Sequence, residues 1–167
     1  MTRISVLCLA IAILFSQSAY AQPSIRLGAG VSKVITDASE YNLGYNAMAG
    51  VESPVSPAAS ILLEGGYLFN KIDAGSTGLD VSQKVIQANV GIKINSPLLY
   101  LVAVAGYNRL TGTIASGSVA VSVTDNNIGF GGGVGLHKGN LFGEARLYHS
   151  RAAECTYVLG LVGIQIP

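Results

Sequence analysis

Two groups of residues in this sequence could do chemistry: the scattered charges Arg26, Glu64, Lys93, Glu144 and Arg146, and the adjacent pair His149-Ser150. Carboxylates beside basic groups can act as general acid and base or line a proton path. A histidine beside a serine can activate the hydroxyl for attack on an ester, with Glu154 near enough to orient the ring. On an extended chain, though, neighbours point to opposite faces, so His149 and Ser150 share a proton only if the chain turns between them. His137 has no partner in sequence, and no Cys/His/Asp cluster has metal-ligand spacing. Gly129, Gly131, Gly133 and Gly135 resemble a phosphate cradle. Their period of two argues against one, because a phosphate loop needs a strand-to-helix turn. The expectation is no catalytic residue, no cofactor and no metal.

The elements that must position these residues are strands. Ile25, Leu27, Ala29 and Val31 alternate with Arg26, Gly28, Gly30 and Ser32. The same parity recurs about 42–51, where Leu43, Tyr45, Ala47, Ala49 and Val51 oppose Asn42, Gly44, Asn46, Met48 and Gly50. It recurs again over 61–69, with Glu64 as the only charge, and over 86–94, where five apolar residues oppose Gln87, Asn89, Gly91 and Lys93. Residues 99–107 are apolar on both faces. The pattern returns over 127–136, over 141–148 and from about Tyr157 to Ile166. A period of two with apolar residues on one side and small or polar residues on the other is the mark of a transmembrane β-barrel. The fold class expected is all-β: an eight-stranded antiparallel up-and-down barrel that spans a membrane. Eight strands leave an interior about wide enough for side chains to fill. Arg26, Glu64, Lys93, Glu144 and Arg146 all fall on the polar side, where they can pair as a lumen charge network. Facing lipid at the midplane, each Lys or Arg would cost about 2–4 kcal/mol.

Ahead of the strands, Arg3, an apolar run from Ile4 to Phe15 and the ending Ala19-Tyr20-Ala21 read as a cleaved signal peptide, residues 1–21. Residues 22–167 then form one barrel domain. Ten Lys+Arg against nine Asp+Glu leave a formal net charge of +1, which gives no basic footprint for nucleic acid. Cys155 is the one cysteine beyond the leader, so no intrachain disulfide is expected there.

Connections alternate in length. Glu52 to Ala58, Asn95 to Pro97 and His137 to Asn140 are short, whereas Lys71 to Ser82 and Asn108 to Asp125 are long, with more modest connections at Ile35 to Glu40 and His149 to Cys155. Short periplasmic turns and longer extracellular loops are the outer-membrane pattern. Within the longest connection, Val119, Val121 and Val123 alternate with Ala120, Ser122 and Thr124 after Ala115-Ser116-Gly117-Ser118. This predicts that two strands continue past the membrane as a hairpin from about Thr111 to Thr124, offering an edge to a partner. Candidate interface aromatics are Tyr45, Tyr67, Phe69, Tyr107 and Phe130.

With its leader, eight alternating segments, inward charges such as Glu64 and Arg146 and the stretch Phe130-Gly-Gly-Gly-Val134-Gly, the chain resembles the OmpX/Ail and opacity-protein group of small outer-membrane barrels, and the barrel of OmpA. Ile166 stands where such barrels end in an aromatic residue. The resemblance implies a monomeric, non-enzymatic protein of the bacterial outer membrane. It would sit among outer-membrane lipid and lipopolysaccharide, stabilise the envelope, and meet host or cell-surface molecules through its loops. Three alternatives remain open on the residues: a lipid A deacylase-like hydrolase using His149 and Ser150, a narrow pore, and a secreted soluble barrel that binds an apolar ligand.

Overall fold

The computed structural model describes residues 22–35, 43–73, 80–116, 119–151 and 155–167. The expected leader 1–21, most of the Ile35 to Glu40 connection, Asn42, Gly117-Ser118 and Glu154 lie outside them. The described strands are β1 (Ser24–Ile35), β2 (Gly44–Ser56), β3 (Ala59–Asp73), β4 (Asp80–Asn95), β5 (Leu99–Ser116), β6 (Val119–Lys138), β7 (Leu141–Ser150) and β8 (Cys155–Ile166). Each pairs with the next in antiparallel register, and β1 closes on β8 from Ile25↔Ile166 to Ile35↔Thr156. The chain is thus the eight-stranded up-and-down barrel that its parity predicts. Closure leaves the paired part of the wall without an edge, the arrangement by which strands satisfy their backbone groups in hydrocarbon.

Burial alternates along most of the wall, while the first eight residues of β6 are exposed on both faces. Outward positions are apolar and exposed: Ile25, Leu27 and Val31 on β1, Ile86, Val90, Ile92 and Ile94 on β4, Ile128, Phe130, Val134 and Leu136 on β6. Inward positions include Arg26, Asn46, Glu64, Asn89, Lys93, Glu144 and Arg146, all buried. A soluble barrel has the reverse polarity, so the secreted ligand-binding alternative fails on this arrangement. On β5, whose sequence is apolar on both sides, Tyr100, Val102 and Val104 turn inward and Leu99 and Leu101 turn outward.

Tight turns at Pro57-Ala58, Pro97-Leu98 and Gly139-Asn140 mark one end, where Ser24 and Ile166 also lie. Gly139 takes a φ of 59°, a left-handed conformation that glycine adopts without steric cost. At this end the link expected over Glu52 to Ala58 is largely strand: β2 runs to Ser56 and absorbs Pro54 with a register shift between Pro54 and Ser56. Proline is tolerated in a sheet at such an irregularity because no ladder donor is required of it.

At the opposite end the strands differ greatly in length. β7 has 10 residues and β6 has 20, and the two pair only from Gly129↔Ser150 to Lys138↔Leu141. β5 and β6 continue paired out to Ser116↔Val119, and β3 and β4 to Asp73↔Asp80. Of the connection expected over Lys71 to Ser82, the described residues 71–73 and 80–82 are strand, and the hairpin expected from about Thr111 to Thr124 is formed. His149 and Ser150, expected in a loop, end β7.

Candidate functional site

The lumen charges converge near the turn end of the barrel. Arg26 on β1 is fully buried. Its Nη1 donates to Glu64 Oε1 at 3.2 Å, and its Nη2 donates to Glu144 Oε2 and to the Tyr100 hydroxyl at 3.1 Å each. Arg146 Nη1 donates to Glu64 Oε2 at 2.8 Å, and its Nε donates to Glu144 Oε1 at 2.8 Å. The Tyr100 hydroxyl in turn donates to Glu144 Oε2 at 2.9 Å. Lys93 Nζ donates to both oxygens of Glu52, at 3.0 and 2.8 Å, and Glu52 Oε2 stands 3.8 Å from Arg26 Nε. The Arg26 guanidinium also covers the Phe142 ring at 4.4 Å.

Glu52 is the member that sequence reasoning missed, because the Ser-Pro-Val-Ser-Pro that follows it reads as a turn. Two signals could have found it. Its parity continues the inward series Met48, Gly50, Glu52, and Arg26, Lys93 and Arg146 need a third carboxylate beside Glu64 and Glu144 for neutrality. In the structure those three cations meet three carboxylates. Every carboxylate is held by at least one cation, with none left turned to open space for a substrate.

Glycines on the inner face make room for this packing. A Cβ at Gly135 would overlap the Tyr100 ring, one at Gly131 would meet Tyr148 Cδ2 at 2.8 Å, and one at Gly133 would meet Arg146 Cβ at 3.1 Å. The alternate glycines of β6 are thus a smooth wall for large residues on β5 and β7.

Above the charges, the Tyr148 hydroxyl lies 2.7 Å from Asn108 Oδ1 and 3.1 Å from Asn89 Oδ1. Higher still the interior turns apolar: Val34, Leu68, Val85 and Tyr157 form one cluster with Tyr148, and Leu110 packs on it. A cavity of about 20 Å³ lies between Asn46, Glu64, Gln87, Asn89 and Arg146, room for about one water molecule. Among the described residues the charge layer and this cluster fill the lumen with packed side chains, Ser32, Asn70 and Gln83 lying among the apolar ones.

His149 and Ser150 face opposite sides of the wall. Ser150 is buried in the lumen, where its Oγ accepts from Asn108 Nδ2 at 3.4 Å. His149 Nδ1 lies 3.2 Å from Thr156 Oγ1, and its ring packs 5.2 Å from that of Phe130 on the outer surface. With separate partners across a sheet, the pair shares no proton. Among the described residues no group of His, Cys, Asp and Glu could hold a metal ion.

The second feature is the hairpin of upper β5 and β6. Register without a bulge carries Val119, Val121 and Val123 onto the same face as the lumen, beside Leu110 and Ile114. The other face carries Thr111, Thr113, Ser122 and Thr124, with hydroxyl pairs Thr111–Thr124 at 3.2 Å and Thr113–Ser122 at 2.9 Å. Beyond Gly129, β6 extends past its β7 partner and exposes its edge.

Apolar side chains outside, an ion-paired interior and a closed eight-strand wall define a membrane-spanning barrel of the outer-membrane type. Comparison with solved structures places the chain among such proteins by fold. It is similar to Ail, the attachment invasion locus protein of Yersinia pestis, at a TM-score of 0.63 and 15% identity, over 86% of this chain and 96% of that one. Ail has also been solved with the heparin analogue sucrose octasulfate. The chain is similar to the N-terminal β-barrel domain of Pseudomonas aeruginosa OprF at a TM-score of 0.61 and 14% identity, over 87% of this chain and all of that one. It is similar to Neisserial surface protein A at 0.57 and 12%, over 86% and 96%. No protein-family model and no curated protein matches the sequence.

Proposed function

We propose that this chain is a non-enzymatic surface protein of the bacterial outer membrane, whose barrel is an inert, closed mount and whose β5–β6 hairpin engages a partner. The observation that carries the reading is the edge of β6 from Val119 to Asn127, which runs past the end of β7 and pairs with no strand among the described residues, its Asn126 N–H alone turned to the neighbouring Asp125 Oδ1. Such an edge presents a row of unpaired backbone donors and acceptors, onto which an extended segment of another protein can add as a strand. Val119, Val121 and Val123, all exposed, lie on one face of that edge and supply apolar contacts. Ail and Neisserial surface protein A, named for attachment and for the cell surface, share the fold, and this supports a surface role. The lumen network of Arg26, Glu64, Lys93, Glu144 and Arg146, with Glu52, serves barrel shape. Residues 1–21 act as the export leader.

The test is a deletion of residues 113–122. The shortened protein, recovered from outer membranes, still changes its gel mobility on boiling, as a folded barrel does, while cells that carry it lose binding to host cells. Unchanged binding by the deleted form contradicts the proposal.

A further inference from the structure

Successive residues of a strand aim their N–H and C=O groups at opposite neighbours. On β6 the Ile128 carbonyl accepts from the Arg151 N–H on the β7 side. The even-numbered residues above it, Ala120, Ser122, Thr124 and Asn126, therefore turn their backbone groups toward the edge that β7 does not reach. Close to the barrel this edge is capped by its own side chains: the Asn126 N–H donates to Asp125 Oδ1 and the Ile128 N–H to Asn127 Oδ1, each at 2.7 Å. Toward the tip no such cap is present among the described residues, and the donors and acceptors of Ala120, Ser122 and Thr124 stay open.

The segment that carries them, Val119 to Thr124, has no charge, no proline and no bulge, the devices that keep sheet edges apart. An uncharged run of about six residues with high β-propensity on an edge is a template for its own sequence. Here it is also self-complementary. Two copies laid antiparallel about Ser122 set Ser122 opposite Ser122 and Ala120 opposite Thr124, so the open residues of the two exchange about six hydrogen bonds. On the other face Val121 meets Val123 of the copy, both of them exposed in the single chain. A parallel pairing in register would instead set Asp125 against Asp125, and like charges directly opposite destabilise a sheet.

We propose that the partner of the β6 edge is a second copy of this chain, joined antiparallel over Ala120 to Thr124. The inference rests on the edge-binding reading above and names its partner. Strand direction decides where that copy sits. In one membrane every β6 runs from its tip toward that membrane, so two of these edges are antiparallel only when their barrels lie in facing membranes. Four residues separate Ser122 from Asn126, and with both hairpins tilted by about 40° the joined pair holds two membrane surfaces about 20 Å apart. A thicker surface coat blocks the contact. A strand pair this short buries far less than the roughly 1,200 Å² of a stable interface, so single barrels in detergent stay apart and many copies acting together supply the strength.

The experiment reconstitutes the full-length barrel in phospholipid vesicles and reads clustering by light scattering. Wild-type vesicles cluster with one another and leave empty vesicles aside. Ser122→Pro removes an edge donor without removing a β5–β6 hydrogen bond, so clustering falls to the level of empty vesicles while the gel shift on boiling remains. Val121→Lys with Val123→Lys, and Val121→Glu with Val123→Glu, each set like charges across the pair, and neither variant clusters alone. Mixed together, the two cluster again, a rescue that only a self-paired edge predicts. In a Cys155→Ser background, Ser122→Cys brings two thiols to the centre of the pair, where Cα atoms about 5.5 Å apart allow a disulfide; oxidation yields a dimer, and Thr113→Cys on β5 yields none. Equal clustering with empty vesicles, or no rescue in the mixture, overturns the pairing. Should wild-type vesicles stay apart while deletion of 113–122 still costs binding to host cells, the self-pairing fails and the edge reading stands. Should the deletion cost no binding either, the edge reading falls with it.

Discussion

The same two strands, β5 and β6, carry opposite polarity at their two ends. From Leu99 to Tyr107 and from Ile128 to Leu136 they expose Leu101, Tyr107, Ile128 and Val134 outward, and turn Tyr100, Gly133 and Gly135 toward the ion-paired lumen. Over 110–115 and 119–124 the threonine and serine hydroxyls face outward and the valines face the lumen side. The register between them is continuous, so the switch is one of side chains and not of backbone. It marks where the solvent outside the sheet changes from hydrocarbon to water, at about Arg109 and Asn126. Below that level charge is buried in pairs inside an apolar wall; above it the hairpin obeys the rules of a soluble, edge-exposed sheet.

Substitutions can break this contrast. The largest effect is expected at the charge layer. Glu64→Ala removes one of the two carboxylates that Arg26 and Arg146 share, leaving Glu144 alone between two buried guanidinium groups, a loss of about 3–5 kcal/mol when one partner of a buried pair is removed. Urea unfolding in lipid vesicles measures it. Next, Leu101→Arg, on the lipid face and 61% exposed, costs about 2–4 kcal/mol if the residue lies near the midplane. The same change at Ser122 stays within about 0.5 kcal/mol, as for an ordinary surface site. Equal effects at the two positions would erase the boundary proposed here. Gly135→Ala drives a methyl into the Tyr100 ring and costs about 1–3 kcal/mol. Combining it with Tyr100→Leu recovers part of the loss, a coupling that a double-mutant cycle reads directly. The smallest expected effect on the barrel is Val121→Thr, within about 0.5 kcal/mol, although it weakens partner binding at the β6 edge.

Much of the wall was legible in the sequence because its two solvents impose opposite demands on alternate residues. β1, β4 and β6 show this clearly, with Arg26, Lys93 and the glycine row on the side the alternation assigns. β5 was ambiguous for a physical reason. Val102 and Val104 pack inside a barrel whose interior is only partly polar, so both faces read as apolar. Glu52 was hidden by two nearby prolines, which signal a turn locally but are absorbed here by an irregularity in pairing. The extension of β3 and β4 toward Asp73 and Asp80 was hidden by charges and glycine, which look like a loop when no membrane fixes the pattern. The inward facing of Val119, Val121 and Val123 was in principle countable, since Ile128 and Phe130 have the opposite parity. Counting required knowing that no bulge intervened.

The most direct test of the central claim, a membrane wall that changes into a water-exposed hairpin along one strand face, is thiol labelling on intact cells. In a Cys155→Ser background, Ser122→Cys and Val134→Cys place a thiol on the same outward face of β6, one above the switch and one below it. A membrane-impermeant maleimide should label Cys at 122 and leave Cys at 134 unlabelled until the membrane is dissolved. Labelling of both sites on intact cells, or of neither, would contradict the account.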